Sequence, residues 1–250
     1  MIWIWSSNDP ELGPNNCQKS CFRRINKIFN LIFSIKNSKQ FRLSKNGAPV
    51  DAIKKLIPLH DAIILSDYHI GTITDKIIKT VTETAKKSNK PVIVDAQKDL
   101  DRYKGVTSMT PNLPDTQKHV GFFLKNKADF IMAGTKLIKE TQAPAILITC
   151  GSDGMVVITE GSYTHIPVFN KSKVFDVTGA GDTVTASYSL AIATGAEPVY
   201  AAIIGNIAAS IVIKQYGCAT TNVDEILASV PQKIEVENWE VIRWKKYLIN

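Results

Sequence analysis

The sequence has few cysteines, and their spacing excludes a disulfide scaffold or a zinc centre. There are 4 in 250 residues, and Cys17 and Cys21 form a Cys-x3-Cys pair with no second Cys or His pair nearby. A structural zinc site needs four ligands, so this pair is incomplete. Isolated thiols are typical of proteins in a reducing compartment, and we therefore expect a cytoplasmic location.

Long apolar runs are also missing. A membrane-spanning helix needs about 20 consecutive apolar residues, whereas the longest candidate, 28–35, is short and interrupted by polar residues. The basic residues near the N-terminus follow the apolar opening at 1–5 instead of preceding an apolar segment, which argues against a secretory signal. The sequence therefore predicts no transmembrane segment, and it contains no repeat or low-complexity tract.

Net positive charge is small outside the first 50 residues. The formal net charge is +7, yet residues 1–50 carry eight Lys or Arg against only Asp9 and Glu11. The remainder is nearly neutral, so we expect no nucleic-acid surface on the main domain. Segment 22–35 could form a basic amphipathic helix that lies on a membrane or a partner. A poorly ordered leader is the interpretation that we favour.

From about residue 51, short apolar runs alternate with stretches that have helical character. The predicted strands are 62–66, 91–95, 106–110, 128–133, 145–149, 155–159 and 163–168, the last two forming a hairpin. The predicted helices are 75–88, 114–125, 134–142, 183–194, 198–216 and 222–230. This alternation predicts an α/β fold in three layers, a parallel sheet with helices on both faces. We expect a divergent basic leader at 1–50, a core at 51–230 and a tail or linker at 231–250.

The most informative motif is the heptapeptide Asp-Val-Thr-Gly-Ala-Gly-Asp at 176–182. Its glycines allow a tight turn with unshielded N–H groups, and the helix predicted behind it directs its positive end to the same place. The turn is therefore suited to hold an anion. Asp182 is placed to accept a proton from a hydroxyl that attacks a phosphoryl group. The motif indicates a kinase of small hydroxylated molecules.

A plain tight connection is the alternative for this motif, because Gly-x-Gly pairs between a strand and a helix are common. Three features favour phosphate binding. Asp182 has no Lys or Arg close to it in sequence, Asp176 follows a strand-like apolar approach at 174–175, and the following helix is built of small residues.

Polar residues follow most of the predicted parallel strands. They are Asp67, Asp95, 110–112, 149–151 and the motif at 176–182. Ligands of such sheets bind beyond the carboxyl ends of the strands. Any one of these residues is an ordinary loop residue, but together they predict one ligand site.

These motifs resemble those of the ribokinase-like (PfkB) carbohydrate kinase family over about 51–230. The resemblance is nearest to the heptose 7-phosphate kinase domain of ADP-heptose synthesis enzymes. It is carried by Leu-Ser-Asp-Tyr at 65–68, Val-Asp at 94–95, Thr-Pro-Asn at 110–112, Thr-x-Gly-x-x-Gly-Met at 149–155, the segment 175–184 and Asn-x-Ala-Ala at 206–209. It implies an ATP-dependent sugar kinase that uses Mg²⁺, with a monovalent cation such as K⁺ as a further candidate.

The resemblance also implies a role for each matching residue. Asp182 would be the general base, and the amides of Gly179, Ala180 and Gly181 would form the anion hole. The remaining roles are nucleotide binding (Thr149, Gly151, Gly154, Asn206), the magnesium network (Asn112, Asp115), the monovalent cation (Asp176, Thr178) and the substrate (Asp67, Asp95). Structural alternatives are a turn cap for Thr149 and Asp176 and a helix cap for Asn112.

The sequence departs from the family pattern at several positions. Asp115 stands where the family has Glu, His69 and Ile70 replace a Gly-Lys pair, and 95–98 reads Asp-Ala-Gln-Lys in place of Asp-Pro-Lys. The family's opening strand with a sugar-binding Asp, its Gly-Gly region and its β-sheet lid find no match in residues 1–50. The resemblance therefore covers roughly the ATP-binding two-thirds of such a kinase, and we expect the sheet to be truncated at its N-terminal side.

Three functions stay open at this point. The first is an active kinase that acts on a sugar or sugar phosphate, with heptose 7-phosphate to heptose 1,7-bisphosphate as the leading reaction. The second is a truncated relative that binds nucleotide without transfer. The third is an interaction scaffold, or a homodimer formed through an exposed sheet edge.

Overall fold

The computed structural model describes residues 2–5, 48–169 and 174–231. The amphipathic helix considered at 22–35 and nearly all of the predicted tail lie outside these residues. The described residues fall into two compact units. The first unit comprises 2–5, 48–150 and 156–163, and the second comprises 151–155, 164–169 and 174–231.

Seven strands and seven helices make up the described part of the chain. The strands are Ile2–Trp5 (β1), Ala62–Asp67 (β2), Val92–Ala96 (β3), Ser108–Met109 (β4), Ala145–Thr149 (β5), Met155–Thr159 (β6) and Ser162–Ile166 (β7). The helices are Ala48–Leu56 (α1), Asp75–Lys87 (α2), Leu113–Val120 (α3), Lys127–Thr141 (α4), Ala180–Ala193 (α5), Pro198–Val212 (α6) and Val223–Ser229 (α7). No described helix is long and apolar enough to cross a bilayer.

The strands form one sheet in the order β1-β2-β3-β4-β5-β6-β7. The pairings from β2 through β5 are parallel, and the register places Ser66 opposite Asp95 and Met109 opposite Ile146. At the edge, β1 pairs antiparallel with β2. The sheet is therefore mixed where the sequence predicted a parallel one, and β1 is a strand that the sequence analysis missed. Four residues are too few to show a period that would identify a strand.

Both faces of the central strands are buried, as the continuous apolar runs predicted. On one face, alternate residues such as Leu65, Val94 and Ile148 join the core formed with the apolar sides of α2 and α4. Residues of the opposite face, including Ile93 and Leu147, are also fully buried. A strand apolar on both faces is typical of a sheet covered on both sides.

Segment 128–133 is helical, which corrects the strand predicted there. Asn126 caps the N-terminus of α4, and its side chain accepts hydrogen bonds from the backbone of Ala128 and Asp129. The Asp129 carboxylate in turn accepts from the Asn126 backbone N–H at 3.2 Å, which completes a capping box. These two polar residues start the helix at Lys127, seven positions before the helix that the sequence predicted at 134. A short apolar run alone does not distinguish a strand from a buried helix.

Three further boundaries differ from the predictions. Helix α3 ends at Val120, because Gly121 adopts a left-handed φ of 84° and its N–H closes the helix on the Gln117 carbonyl. Helix α6 ends at Val212 instead of 216, with Ile213 as its C-cap. Residues 174–175 are not a strand; instead the Phe175 N–H donates to the Ile213 carbonyl at 2.9 Å.

The second unit contains α5, α6 and α7. Helices α5 and α6 approach closely at Gly205, where an added Cβ would meet the Val184 backbone oxygen at 3.3 Å. Small residues along α5 permit this approach, as the sequence indicated. The sequence offers Thr221 or Asn222 as the cap of α7, and the structure shows that it is Asn222, in a second capping box with Glu225.

Candidate active site

The glycine motif forms the turn that leads into α5. Gly179 is the N-cap of this helix and has a left-handed φ of 78°. An added Cβ at Gly179 would lie 3.0 Å from the Cys218 Sγ, so both backbone conformation and space favour glycine here. The helix begins at Ala180, three residues earlier than the sequence predicted. Asp182 consequently lies in the first helical turn, where it is exposed.

The backbone amides of this turn differ in their hydrogen bonding. The Ala180 N–H donates to the Val177 carbonyl at 3.1 Å and closes the turn. Within the described residues, the N–H groups of Gly179 and Gly181 have no protein acceptor. The first N–H groups of a helix have no partner inside it, and they attract anions together with the helix dipole. The two glycine amides can therefore bind an anionic oxygen.

Asp176, the first residue of the motif, accepts hydrogen bonds that stabilise the same turn. Its Oδ1 accepts the Thr178 N–H at 2.9 Å, and its Oδ2 accepts the Gly217 N–H at 3.0 Å. The hydrogen bonds from Thr178, and then the one from Gly217, lower the pKa of Asp176. This confirms the structural alternative of a turn cap. Its carboxylate connects the motif to the segment that follows α6.

A second turn of the second unit contains Gly151 and Gly154, which have left-handed φ values of 58° and 84°. Gly154 packs directly on β7 and the residue after it: an added Cβ would collide with the Ile166 carbonyl and lie 3.0 Å from Pro167. Asn206, 4% exposed in α6, donates its side-chain N–H to the Pro167 carbonyl at 2.9 Å. Asn206 thus holds the strand segment on which Gly154 rests.

In the first unit, Asp67 ends β2 and is almost fully buried. Its Oδ2 accepts the Tyr103 hydroxyl at 2.6 Å, and its Oδ1 accepts the His69 N–H at 2.8 Å. The Arg102 guanidinium lies 3.6 Å from Oδ2. Burial, and then the hydrogen bond to Asp67, raise the pKa of Tyr103, so the hydroxyl stays protonated and remains a donor.

Asn112, which lies beyond the end of β4, pairs across a parallel bridge with Thr149, the last residue of β5. The Thr149 N–H donates to the Pro111 carbonyl at 3.0 Å. Asn112 is the N-cap of α3, and its side-chain oxygen accepts the Asp115 N–H at 2.7 Å, which confirms the structural alternative of a helix cap. Burial raises the pKa of the partly buried Asp115 carboxyl, and this effect exceeds the opposing influence of the Asn112 hydrogen bond and of two lysines, Lys118 and Lys98.

The structure thus groups the predicted site residues within each unit. Asp67, Asp95, Asn112, Asp115 and Thr149 belong to the first unit, at or just beyond the ends of parallel strands. The second unit contains the 176–182 motif, Gly151, Gly154 and Asn206. Among the residues that the structure describes, no group of three or more His, Cys, Asp and Glu side chains could hold a metal ion.

Three residues near these groups were missed by the sequence analysis. Tyr103 and Arg102 contact Asp67 from 35 or more positions away in sequence. His165 contacts the backbone of Asp153 from the neighbouring strand. No sequence motif contains these residues, so only their tertiary neighbours reveal them.

The fold is that of a ribokinase-like protein. The chain is similar to Arabidopsis thaliana ribokinase, solved with ribose and ATP, with a TM-score of 0.64, 21% identity, and coverage of 72% of this chain and 58% of that chain. It is also similar to Escherichia coli phosphofructokinase-2 solved with potassium, with a TM-score of 0.62, 16% identity, and coverage of 72% and 60%. Identities this low show the fold alone.

The family is shown by sequence. The model of the pfkB family carbohydrate kinases matches residues 34–225, and the chain belongs to this family. Similar curated proteins include the bifunctional protein HldE of Nitratiruptor sp., 37% identical over 71% of this chain and 37% of that protein. HldE of Hahella chejuensis is 35% identical over 77% of this chain and 41% of that protein. The chain thus spans about two fifths of the length of these curated relatives.

Proposed function

We propose that this protein transfers a phosphoryl group from ATP to a hydroxyl of a sugar or sugar phosphate. The observation that carries the proposal is the geometry of the 176–182 turn. Two glycine amides without protein acceptors stand at the start of α5, and an exposed carboxylate, Asp182, lies in the first turn of the same helix. An anion-binding turn combined with a proton acceptor is what phosphoryl transfer to an alcohol requires.

In this mechanism the protein acts mainly by positioning and electrostatics. Asp182 accepts the proton of the attacking hydroxyl as the new oxygen–phosphorus bond forms, while the bond from the γ-phosphorus to the bridging oxygen breaks and ADP leaves. The N–H groups of Gly179 and Gly181 stabilise the negative charge that develops on the transferred group. Ala180 contributes by closing the turn on Val177, which holds the neighbouring amides in place.

ATP is the phosphoryl donor of the family, and the proposed nucleotide residues are Thr149, Gly151, Gly154 and Asn206. Gly151 is exposed at the start of this short turn, which suits contact with phosphate oxygens, whereas the buried Gly154 closes the turn by donating its N–H to the Gly151 carbonyl. The Arabidopsis ribokinase of similar fold was solved with ATP, which supports ATP as the ligand. Asn206 donates a hydrogen bond to the Pro167 carbonyl and so supports the residues on which Gly154 packs.

Cation binding is a further part of the proposal. Asn112 and Asp115 offer the oxygen ligands that Mg²⁺ prefers, usually with several waters retained, and Mg²⁺ would neutralise charge on the phosphates. The Asn112 oxygen already accepts the Asp115 N–H, so the Asp115 carboxylate is the better ligand of the two. Asp176 and Thr178 would hold K⁺, for which the potassium complex of the structurally similar phosphofructokinase-2 gives support. Both Asp176 oxygens accept backbone N–H groups and retain lone pairs for a cation.

Heptose 7-phosphate, phosphorylated to heptose 1,7-bisphosphate, is the acceptor that we propose first. The support is the 32–37% identity to curated HldE proteins, which connects the chain to ADP-heptose synthesis. Asp67 and Asp95 are the proposed acceptor ligands. The Asp67 carboxylate, however, is almost fully buried and already held by Tyr103, His69 and Arg102.

The test measures ADP release from Mg-ATP with a panel of sugars and sugar phosphates that includes heptose 7-phosphate. We expect acceptor-dependent release that Asp182→Asn lowers by about 10²–10⁴-fold, since the amide cannot take the proton. Asp224→Asn is the matched control, because Asp224 is also an exposed acid in the first turn of a helix, α7, outside the proposed site. Equal rates in the Asp182 and Asp224 variants would sink the assignment of the base.

A nucleotide-binding protein without transfer is the second candidate. Asp67 accepts two hydrogen bonds and contacts the Arg102 guanidinium, which favours this candidate because the carboxylate has little capacity left for a sugar hydroxyl. In that case Mg-ATP binds, as isothermal titration would show, while no acceptor in the panel increases ADP release.

A further inference from the structure

The Gly151–Gly154 turn is held by contacts from β7. The Gly154 N–H donates to the Gly151 carbonyl at 3.2 Å, which is a long bond for a turn with two left-handed residues. Additional support comes from the opposite strand, where the His165 Nε2 lies 2.7 Å from the Asp153 carbonyl oxygen. A carbonyl oxygen can only accept, so the imidazole Nε2 is the donor.

The end of β7 and the residue after it also pack against the Gly151–Gly154 turn. Gly154 packs on the backbone of Ile166 and Pro167 without room for a Cβ. The Pro167 carbonyl in turn accepts the side-chain N–H of Asn206 from α6. Residues 165–167 therefore contact the turn on one side and α6 on the other, so the position of the turn depends on the position of α6.

Helix α6 also contacts the anion-binding end of the unit. It packs on α5 at Gly205 and Val184, and the segment after it supplies the Ile213 carbonyl that accepts the Phe175 and Asp176 N–H groups at 2.9 and 3.3 Å. Both glycine turns of the second unit are thus attached to the same helix. His165 is the side chain that attaches the Gly151–Gly154 turn to this framework through a directional hydrogen bond.

We propose that His165 is a positioning residue for nucleotide binding: through the Asp153 carbonyl it holds the Gly151–Gly154 turn in the conformation that receives the ATP phosphates. This inference rests on the proposed function for the identity of the ligand. A phosphate-binding turn must present its N–H groups in one arrangement. If the free turn samples several arrangements, fixing it on binding costs conformational entropy, and the affinity for phosphate falls. His165 limits that loss.

The test compares Mg-ATP binding to the full chain by isothermal titration in three variants. His165→Leu removes the donor and should weaken binding roughly fivefold, the effect of one ordinary hydrogen bond. His165→Gln carries an amide N–H that can replace Nε2 and should restore affinity to within about twofold. Ser162→Ala, at the exposed start of the same strand, is the control and should bind ATP as the unsubstituted chain does.

A second readout needs no nucleotide. Hydrogen exchange of the amides at 151–155 should accelerate in His165→Leu and return to the original rate in His165→Gln, because the Gly154 N–H loses its protection when the turn opens.

A kinetic readout uses the complete reaction. The KM for the acceptor should be the same in His165→Leu as in the unsubstituted chain, since the proposed acceptor ligands lie in the first unit.

The outcomes separate this inference from the proposed function. If the unsubstituted chain fails to bind Mg-ATP, the proposed function is wrong and the nucleotide role of His165 with it. If it binds and His165→Leu binds equally well, with only a lower melting temperature, His165 is a structural residue and the inference alone is overturned. Failure of His165→Gln to restore affinity overturns it as well.

Discussion

Asp67 is a buried acid with partners on both of its carboxylate oxygens. Its oxygens contact a hydroxyl, a backbone N–H and a guanidinium, while its side chain is only 3% exposed. A buried carboxylate is costly unless its lone pairs are occupied and its charge is paired; here Tyr103 and His69 supply the donors and Arg102 the opposite charge. Arg102 extends the network by donating to the exposed Asp75 at 2.7 Å. The end of β2 is thereby attached to the start of α2.

Tyr103→Phe tests this network by deleting one donor without changing the shape of the fully buried ring. We expect a loss of about 1–3 kcal/mol in the free energy of unfolding, because the Asp67 Oδ2 stays buried without its hydroxyl partner. Urea denaturation measures the change. Tyr216→Phe is the control, since the Tyr216 side chain is 83% exposed, and it should change stability by less than about 0.5 kcal/mol.

We also expect the free energy of unfolding of Tyr103→Phe to depend on pH differently from that of the unsubstituted chain. The pKa of Tyr103 is raised in the folded state, above its ordinary value of 10.0. The folded protein therefore retains a proton that the unfolded chain releases, so this stabilisation is complete below pH 10 and is lost as the pH rises further. Above that pH, the unsubstituted chain should lose about 1.4 kcal/mol per pH unit more than Tyr103→Phe does. Parallel stability curves for the two proteins would contradict the assignment.

At the scale of elements, α4 contacts β6 through a glycine. Gly134 faces Ile158, and an added Cβ would lie 2.6 Å from its Cγ2 and 2.8 Å from its Cβ. These atoms belong to the branched base of the side chain, which a rotamer change cannot remove. The close contact of helix and strand therefore depends on glycine at this position.

Gly134→Ala is expected to destabilise the fold, although Gly→Ala inside a helix ordinarily stabilises by about 1 kcal/mol. Overpacking against Ile158 should cost about 1–3 kcal/mol and reverse the sign. Thermal unfolding of Gly134→Ala beside Gly181→Ala gives the comparison, because Gly181 has no neighbouring atom within 4 Å of an added Cβ. The double variant with Ile158→Ala should be more stable than the sum of the two single changes indicates.

At the scale of the whole molecule, the candidate residues are distributed over the two units. The second unit holds the anion-binding turn and two nucleotide glycines, and the first holds Thr149, the magnesium candidates and the acceptor candidates. Gly151 of the proposed nucleotide site is exposed, whereas one acceptor candidate, Asp67, is occupied by internal contacts. We therefore expect nucleotide binding to be stronger than acceptor binding.

Thermal unfolding with each ligand alone tests this expectation. Mg-ATP at about 100 times its Kd should stabilise by about 2.7 kcal/mol, which raises the melting temperature by roughly 5–10 °C in a chain of this size. Heptose 7-phosphate at the same concentration should raise it by less. A larger shift with the sugar phosphate than with Mg-ATP would show that Asp67 and Asp95 do not limit acceptor binding. Dimerisation through a sheet edge stays a prediction, and analytical ultracentrifugation of the same samples measures it.

The sequence alone determined the local features of this protein. Glycines at 179 and 181 followed by small residues predict an anion-binding turn before a helix, because their conformational freedom and lack of side chain act within a few residues. The apolar runs of β2, β3 and β5 and the Asn222 cap were predicted for the same reason. These properties depend on residues adjacent in the chain.

Strand pairing, side-chain burial and contacts between residues distant in sequence became known only from the tertiary structure. It placed β1 antiparallel to β2, made 128–133 a helix, enclosed Asp67 between Tyr103 and Arg102, and set His165 against Asp153. Pairing, burial and hydrogen bonding of this kind arise when the chain brings together residues that no local pattern relates. The family motif thus predicts the chemistry, while the fold determines which of the candidate residues are buried and which are exposed.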